Sequence, residues 1–125
     1  MAKSIMQKYT DTWNRECFLC REKAEREGYY GELQHENLDR HHIMYGTANR
    51  QLSEHYGLWV YLCKDHHQWG PDAVHFNQET DRHLREKAQT AFEQKYGHEK
   101  WMQVFGMSYL EEGEEYEYTV REDWQ

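Results

Sequence analysis

The sequence predicts a small α+β domain organised round a bound zinc ion, with a β-hairpin and short helix at the metal and further helices toward the C-terminus. Three observations predict it. Cys17-Phe-Leu-Cys20 and Cys63-Lys-Asp-His66 are two ligand pairs, each with two residues between, and zinc favours a tetrahedron of thiolate and imidazole. Leu58-Trp-Val-Tyr-Leu62 is a β-branched and aromatic run that leads directly into Cys63, as a short buried strand would. Asn77 and Gly97 bracket a segment in which Leu84, Ala88, Ala91, Phe92 and Tyr96 form an apolar stripe, the pattern of an amphipathic helix with an N-cap and a C′ glycine.

Each element follows in turn. Residues 1–16 form a short mixed segment that leads into Cys17, with Phe18 and Leu19 at the tip of the first ligand pair, packing under the ion. Arg21 to Gly28 is charged and helix-compatible, and Gly28 and Gly31 around Tyr29-Tyr30 mark a loop. Leu38 to Met44 is the first strand, and Gly46 to Gly57 is read as the connection to the second, Leu58 to Leu62. The two strands pair as an antiparallel hairpin. A short helix starts near Asp65 and stops at Gly70-Pro71. The long helix runs from Asn77 to Tyr96, and His98 to Phe105 adds one more helical segment.

The chain has 125 residues, enough for one modest core that a metal would staple. Three cysteines, two of them in a C-x-x-C step, argue for metal binding over a disulfide framework. No stretch has the apolar length of a membrane span, and the first residues carry no signal-peptide core, so a cytoplasmic location is expected. Formal net charge is -8, but residues 111–125 hold seven carboxylates against Arg121 alone. That tail carries -6 and leaves only -2 on residues 1–110. The chain is therefore divided into a zinc-bound unit, 1–110, and an acidic tail, 111–125, expected to be mobile or partner-dependent.

Assigning Cys17, Cys20, Cys63 and His66 to a structural Zn2+ leaves His41, His42 and His67 without a role in that site. A zinc knot alone does not require them. His41 and His67 can share a divalent ion, with His75 as a third ligand if the chain returns after the Gly70-Pro71 bend. Hydrolysis of a phosphodiester needs a cation beside the phosphate and a group to deprotonate water, and imidazole titrates in the range that suits the second task. Neighbouring strand residues point to opposite faces. His41 and His42 therefore share a site only if the strand end bends, or if each addresses a different part of it.

The string His41-His42-Ile-Met-Tyr-Gly, continued by Leu58-Trp-Val-Tyr-Leu-Cys-Lys-Asp-His-His67, resembles the HNH endonucleases of the ββα-metal type. It is similar in particular to phage-encoded members with a zinc-knotted core, among them the RecA-dependent recombination-enhancement nucleases. The resemblance spans Glu16 to about His75. It implies a treble-clef zinc knot, with His41 and His67 as ligands of a catalytic divalent ion and His42 as the general base. Mg2+, Mn2+ or Ni2+ would serve, and imidazole ligands tilt the choice toward transition metals. It also implies DNA as substrate, a possible RecA-type filament as partner, and the host cytoplasm as location. The chain departs from the family pattern where the central Asn is usual, five residues before the zinc cysteine. Leu58 stands there, and Asn49 is the only nearby replacement, placed to brace the connection.

Arg50, Arg82 and Arg85 are the candidate phosphate contacts, since guanidinium suits bidentate anion binding. Tyr45 can approach the site. Trp59 and Tyr61 read as core, and His35, His55, His83 and His98 as solvated surface groups. The competing function is a non-catalytic zinc module that binds a protein partner, its acidic tail mimicking nucleic acid.

Overall fold

The computed structural model describes residues 2–110; the acidic tail, with the role expected for it, lies outside them. The described chain mixes helices with one two-stranded sheet. Helix α1 spans Phe18–Arg26 and strand β1 spans Leu38–His42. Helix α2 (Thr47–Tyr56) precedes strand β2 (Trp59–Cys63), and one π-helical turn follows at Asp65–Trp69. Helices α3 (Gln78–Tyr96) and α4 (His98–Phe105) complete the order.

The strands pair antiparallel, with Leu38 opposite Cys63, Arg40 opposite Tyr61 and His42 opposite Trp59. Strand β1 ends two residues before the expected Met44, although Ile43 N–H still donates to the Leu58 carbonyl at 3.0 Å. Residues 2–7 run along the other edge of β2. Ile5 N–H donates to the Gly57 carbonyl, Ser4 Oγ–H to the Trp59 carbonyl, and Tyr61 N–H to Gln7 Oε1. This strap occupies backbone groups that an open edge strand would leave unpaired.

Two expectations need correction here. The connection Gly46–Gly57, read without secondary structure of its own, carries helix α2 at residues 47–56. Its inner face is Asn49, Leu52, Ser53 and Tyr56, a helical i, i+3, i+4, i+7 set that two polar side chains disguise. Ser53 is fully buried yet satisfied, accepting from Met44 N–H at 3.1 Å and donating to the Met44 carbonyl at 2.8 Å. Helix α1 likewise begins at Phe18, earlier than the charged stretch suggested, because Cys17 is its N-cap and Cys17 Sγ accepts from Cys20 N–H.

The core collects Ile43, Leu58, Val60, Leu62, Leu84, Ala88, Phe92 and Trp101, all fully buried. The expected α3 stripe holds at Leu84, Ala88 and Phe92, while Ala91 is half-buried and Tyr96 is exposed at the helix end. Gln89 is buried in the stripe instead. Its amide donates to Glu93 and Ser108, and its oxygen accepts from Tyr109 N–H at 2.7 Å, docking residues 108–109 on α3. Asn77 caps α3 as expected, accepting from Thr80 N–H at 3.0 Å. Among the described residues no helix is long and apolar enough to cross a membrane.

Candidate metal centres

Cys17, Cys20, Cys63 and His66 form a group that can hold a metal ion such as zinc. The first pair sits at the start of α1, Cys63 ends β2, and His66 lies in the π-helical turn. His66 Nδ1 stands 3.4 Å from Cys17 Sγ, 3.4 Å from Cys20 Sγ and 3.3 Å from Cys63 Sγ. Cys20 Sγ is 3.8 Å from Cys63 Sγ. A zinc tetrahedron with bonds of about 2.3 Å to sulfur and about 2.05 Å to nitrogen has edges of about 3.8 Å (S–S) and about 3.6 Å (S–N). Those four separations stand within a few tenths of an ångström of the edges such an ion requires, and all four ligand atoms lie within 4.8 Å of one another.

Charge at this cluster points the same way. The Cys20 thiol hydrogen-bonded to Cys17 lowers Cys17 to about 4 against its burial, while the same pairing and burial push Cys20 well above the usual thiol range. Burial also raises Cys63, so all three could ionise together only beside a cation, which inverts the local balance.

On the core-facing side of β1 lies a second group. The ligand atoms of His41, His67 and His75 all lie within 4.8 Å of one another. His41 comes from the strand, His67 from the π-helical turn, and His75 from the segment that returns after Gly70-Pro71. Val74 N–H donates to the His66 carbonyl at 2.8 Å and fixes that return. His67 Nε2 and His75 Nε2 face each other at 3.1 Å. Imidazole nitrogens on adjacent positions of an ion with bonds of about 2.1 Å lie about 3.0–3.4 Å apart. His41 is 4% exposed, and its Nε2 is enclosed without a hydrogen-bond partner. Burial first, then the charges of His67, His75, His42 and Arg85, lower His41 to about 3, so its ring stays neutral and its lone pair available. A buried orphan nitrogen is costly, and the three rings form a group that could hold a metal ion.

Asp39, which the sequence did not single out, completes this group. Asp39 and His41 share a strand face, and Asp39 Oδ2 accepts from His67 Nδ1–H at 2.8 Å, while Lys64 Nζ donates to Oδ1 at 2.5 Å. Burial raises the Asp39 carboxyl, but Lys64 and His67 outweigh it and hold it below its ordinary value. A carboxylate on the far nitrogen fixes the tautomer of a ligating histidine and turns Nε2 toward the ion.

His42 points to the opposite sheet face, as strand alternation requires. It is outside the three-imidazole group and pairs through Nε2 with Glu54 Oε2 from α2. Arg40 reaches the same oxygen at 3.3 Å and lies 3.7 Å from the centre of the Trp59 ring. Burial raises Glu54, but the bonds from His42 and Arg40 bring it below the usual carboxylate range. A cavity of about 1000 Å³ opens beside this dyad, lined by Tyr45, Thr47, Arg50, Gln51, Glu54 and His55. Tyr45 joins the two faces, its ring 6.2 Å from that of His41 and 6.3 Å from that of His75.

Of the candidate phosphate contacts, Arg50 is exposed on that cavity. Arg85 stacks 4.7 Å from the Tyr45 ring centre and is tied to Asp81 and to the Tyr109 hydroxyl. Arg82 is paired with Glu86 and the Tyr109 carbonyl. Asn49 lies on the inner face of α2. Leu58 is fully buried in the core, leaving no polar group at that position. His83 and His98 are engaged by Glu22 and Glu93, whereas His35 and His55 are exposed. No family model matches this chain, and no match is found among curated proteins or solved structures.

Proposed function

We infer that the chain is a metal-dependent endonuclease of HNH type that hydrolyses DNA phosphodiester bonds, acting in phage DNA processing or recombination. The observation that carries this reading is the convergence of His41, His67 and His75 round one point, together with the enclosed and unpartnered Nε2 of His41. In this reading the Cys17, Cys20, Cys63 and His66 site is a structural zinc of a treble-clef knot, whose task is to hold β2 and the π-helical turn in register with β1.

A divalent ion at the three imidazoles supplies positive charge beside the scissile phosphate. The donor set is all nitrogen, which suits Mn2+, Ni2+ or Zn2+ better than Mg2+. Asp39 keeps His67 Nε2 facing inward. His42, on the other face at the strand end, would accept a proton from the attacking water as oxygen bonds to phosphorus, and the opposite P–O bond would break with the leaving oxygen taking a proton from solvent. The cavity between Tyr45 and Glu54 gives the strand room on the side of His42, with Arg50 available to a flanking phosphate.

The test is cleavage of supercoiled plasmid and single-stranded DNA with Mg2+, Mn2+ or Ni2+, with and without a RecA filament, beside His42→Ala. The reading expects a loss of about 10²–10⁴-fold in the variant, the usual contribution of a general base. Cleavage unchanged in His42→Ala removes that role. Absence of cleavage under every condition favours the non-catalytic zinc module that binds a protein partner, with the -6 tail as its contact.

A further inference from the structure

We propose that Glu54 is the positioning residue for His42: by engaging Nε2 it leaves Nδ1 as the atom that takes the proton from water. The inference rests on the nuclease reading for its chemistry, though not for its geometry. Family resemblance supplies no residue for this task in α2, and Leu58 offers no side-chain acceptor where an Asn is usual.

An ionised carboxylate only accepts, so the His42 nitrogen that meets Glu54 Oε2 must carry the hydrogen. Arg40 on the same oxygen favours the ionised carboxylate. In a neutral imidazole the hydrogen on Nε2 leaves Nδ1 with the lone pair. Among the described residues His42 hydrogen-bonds through Nε2 to Glu54, which leaves Nδ1 as the nitrogen for the water. The His42 side chain is 11% exposed.

Placement of Glu54 is itself over-determined. The preceding residue, Ser53, is bonded twice to the backbone of Met44, two residues beyond His42. The α2 turn carrying the carboxylate is thus tied to the strand end carrying the imidazole. Glu54 also borders the cavity proposed for the strand, so the carboxylate end of the dyad lies at the wall of that space. Ring orientation, tautomer and access are then set by one side chain. Comparable supporting carboxylates typically change activity about 10–100-fold when removed.

Two measurements on the zinc-loaded full chain test this. Long-range proton–nitrogen correlation spectra report which His42 nitrogen carries the hydrogen. Plasmid nicking with Mn2+ reports kcat and KM for wild type, Glu54→Ala and Glu54→Gln, with zinc content and melting temperature as folding controls. Expected are hydrogen on Nε2 in wild type and in Glu54→Gln, whose amide oxygen still accepts, and a mixed tautomer in Glu54→Ala. In Glu54→Ala kcat falls about 10–100-fold at unchanged KM, and Glu54→Gln recovers part of the loss. Hydrogen on Nδ1 in wild type overturns the proposal, as does wild-type kcat in a folded Glu54→Ala. Should Glu54→Ala not fold, the wild-type and Glu54→Gln spectra still decide. Should wild type cleave nothing, the nuclease reading fails while the spectra judge Glu54 on their own.

Discussion

Replacing Ser53 by Ala removes one oxygen and strands two backbone groups. Ser53 is fully buried and Met44 is 3% exposed, and the hydroxyl serves both Met44 N–H and the Met44 carbonyl. A buried polar group left without its partner costs roughly 1–3 kcal/mol. Two such groups cost more, against a gain of about 0.5 kcal/mol from the better helix former. The net expectation is a loss of about 2–4 kcal/mol, a large fraction of a stability of about 5–15 kcal/mol. Urea unfolding of the zinc-loaded protein, followed by tryptophan fluorescence, measures it through the midpoint at unchanged slope. A loss below about 0.5 kcal/mol refutes the reasoning, since it would mean that Met44's groups are satisfied without Ser53 and that α2 is docked by apolar contacts alone.

Other outcomes follow from the same geometry. Chelation of zinc, or Cys63→Ser, removes a vertex of the tetrahedron joining α1, β2 and the π-helical turn; structural zinc is worth about 10–16 kcal/mol in small domains, so circular dichroism should show global unfolding. A chain that melts identically with and without zinc contradicts this. Gly57→Ala should destabilise by at least about 1–2 kcal/mol, the strain of a left-handed residue with a side chain, because φ is +74° and the added Cβ collides with the Lys3 carbonyl oxygen. Thermal melting checks it, and an unchanged midpoint shows that the N-terminal strap yields freely. Asp39→Asn should weaken binding of Mn2+ or Ni2+ at the imidazole centre about 10–100-fold by titration calorimetry while leaving zinc content intact; equal affinity would show that His67 needs no supporting carboxylate.

Much of the zinc cluster was legible because its signal is local. Ligands two residues apart announce a metal whatever the fold around them, and Cys63 and His66 directly follow a recognisable strand. Asn77 and Gly97 marked the ends of α3 for the same reason. Helix α2 was hidden because half its inner face is polar, and Ser53 is buried only by virtue of two hydrogen bonds that no periodicity displays. The supporting carboxylates were hidden for a related cause. Asp39 reaches His67 across 28 positions, and Glu54 reaches His42 from a helix not foreseen in that place. Gln89 broke the apolar stripe of α3 because it docks residues 108–109, a long-range contact. Adjacent His41 and His42 showed the reverse: strand alternation left two arrangements open, and the structure has the one in which they face different ways.

The central claim is that DNA cleavage depends on a divalent ion held by His41, His67 and His75. Its most direct test is the Mn2+-dependent nicking rate of zinc-loaded wild type against His41→Ala, with one structural zinc per chain verified in both. The account predicts that nicking is lost in the variant while fold and zinc content persist. Equal rates in the two proteins would contradict it.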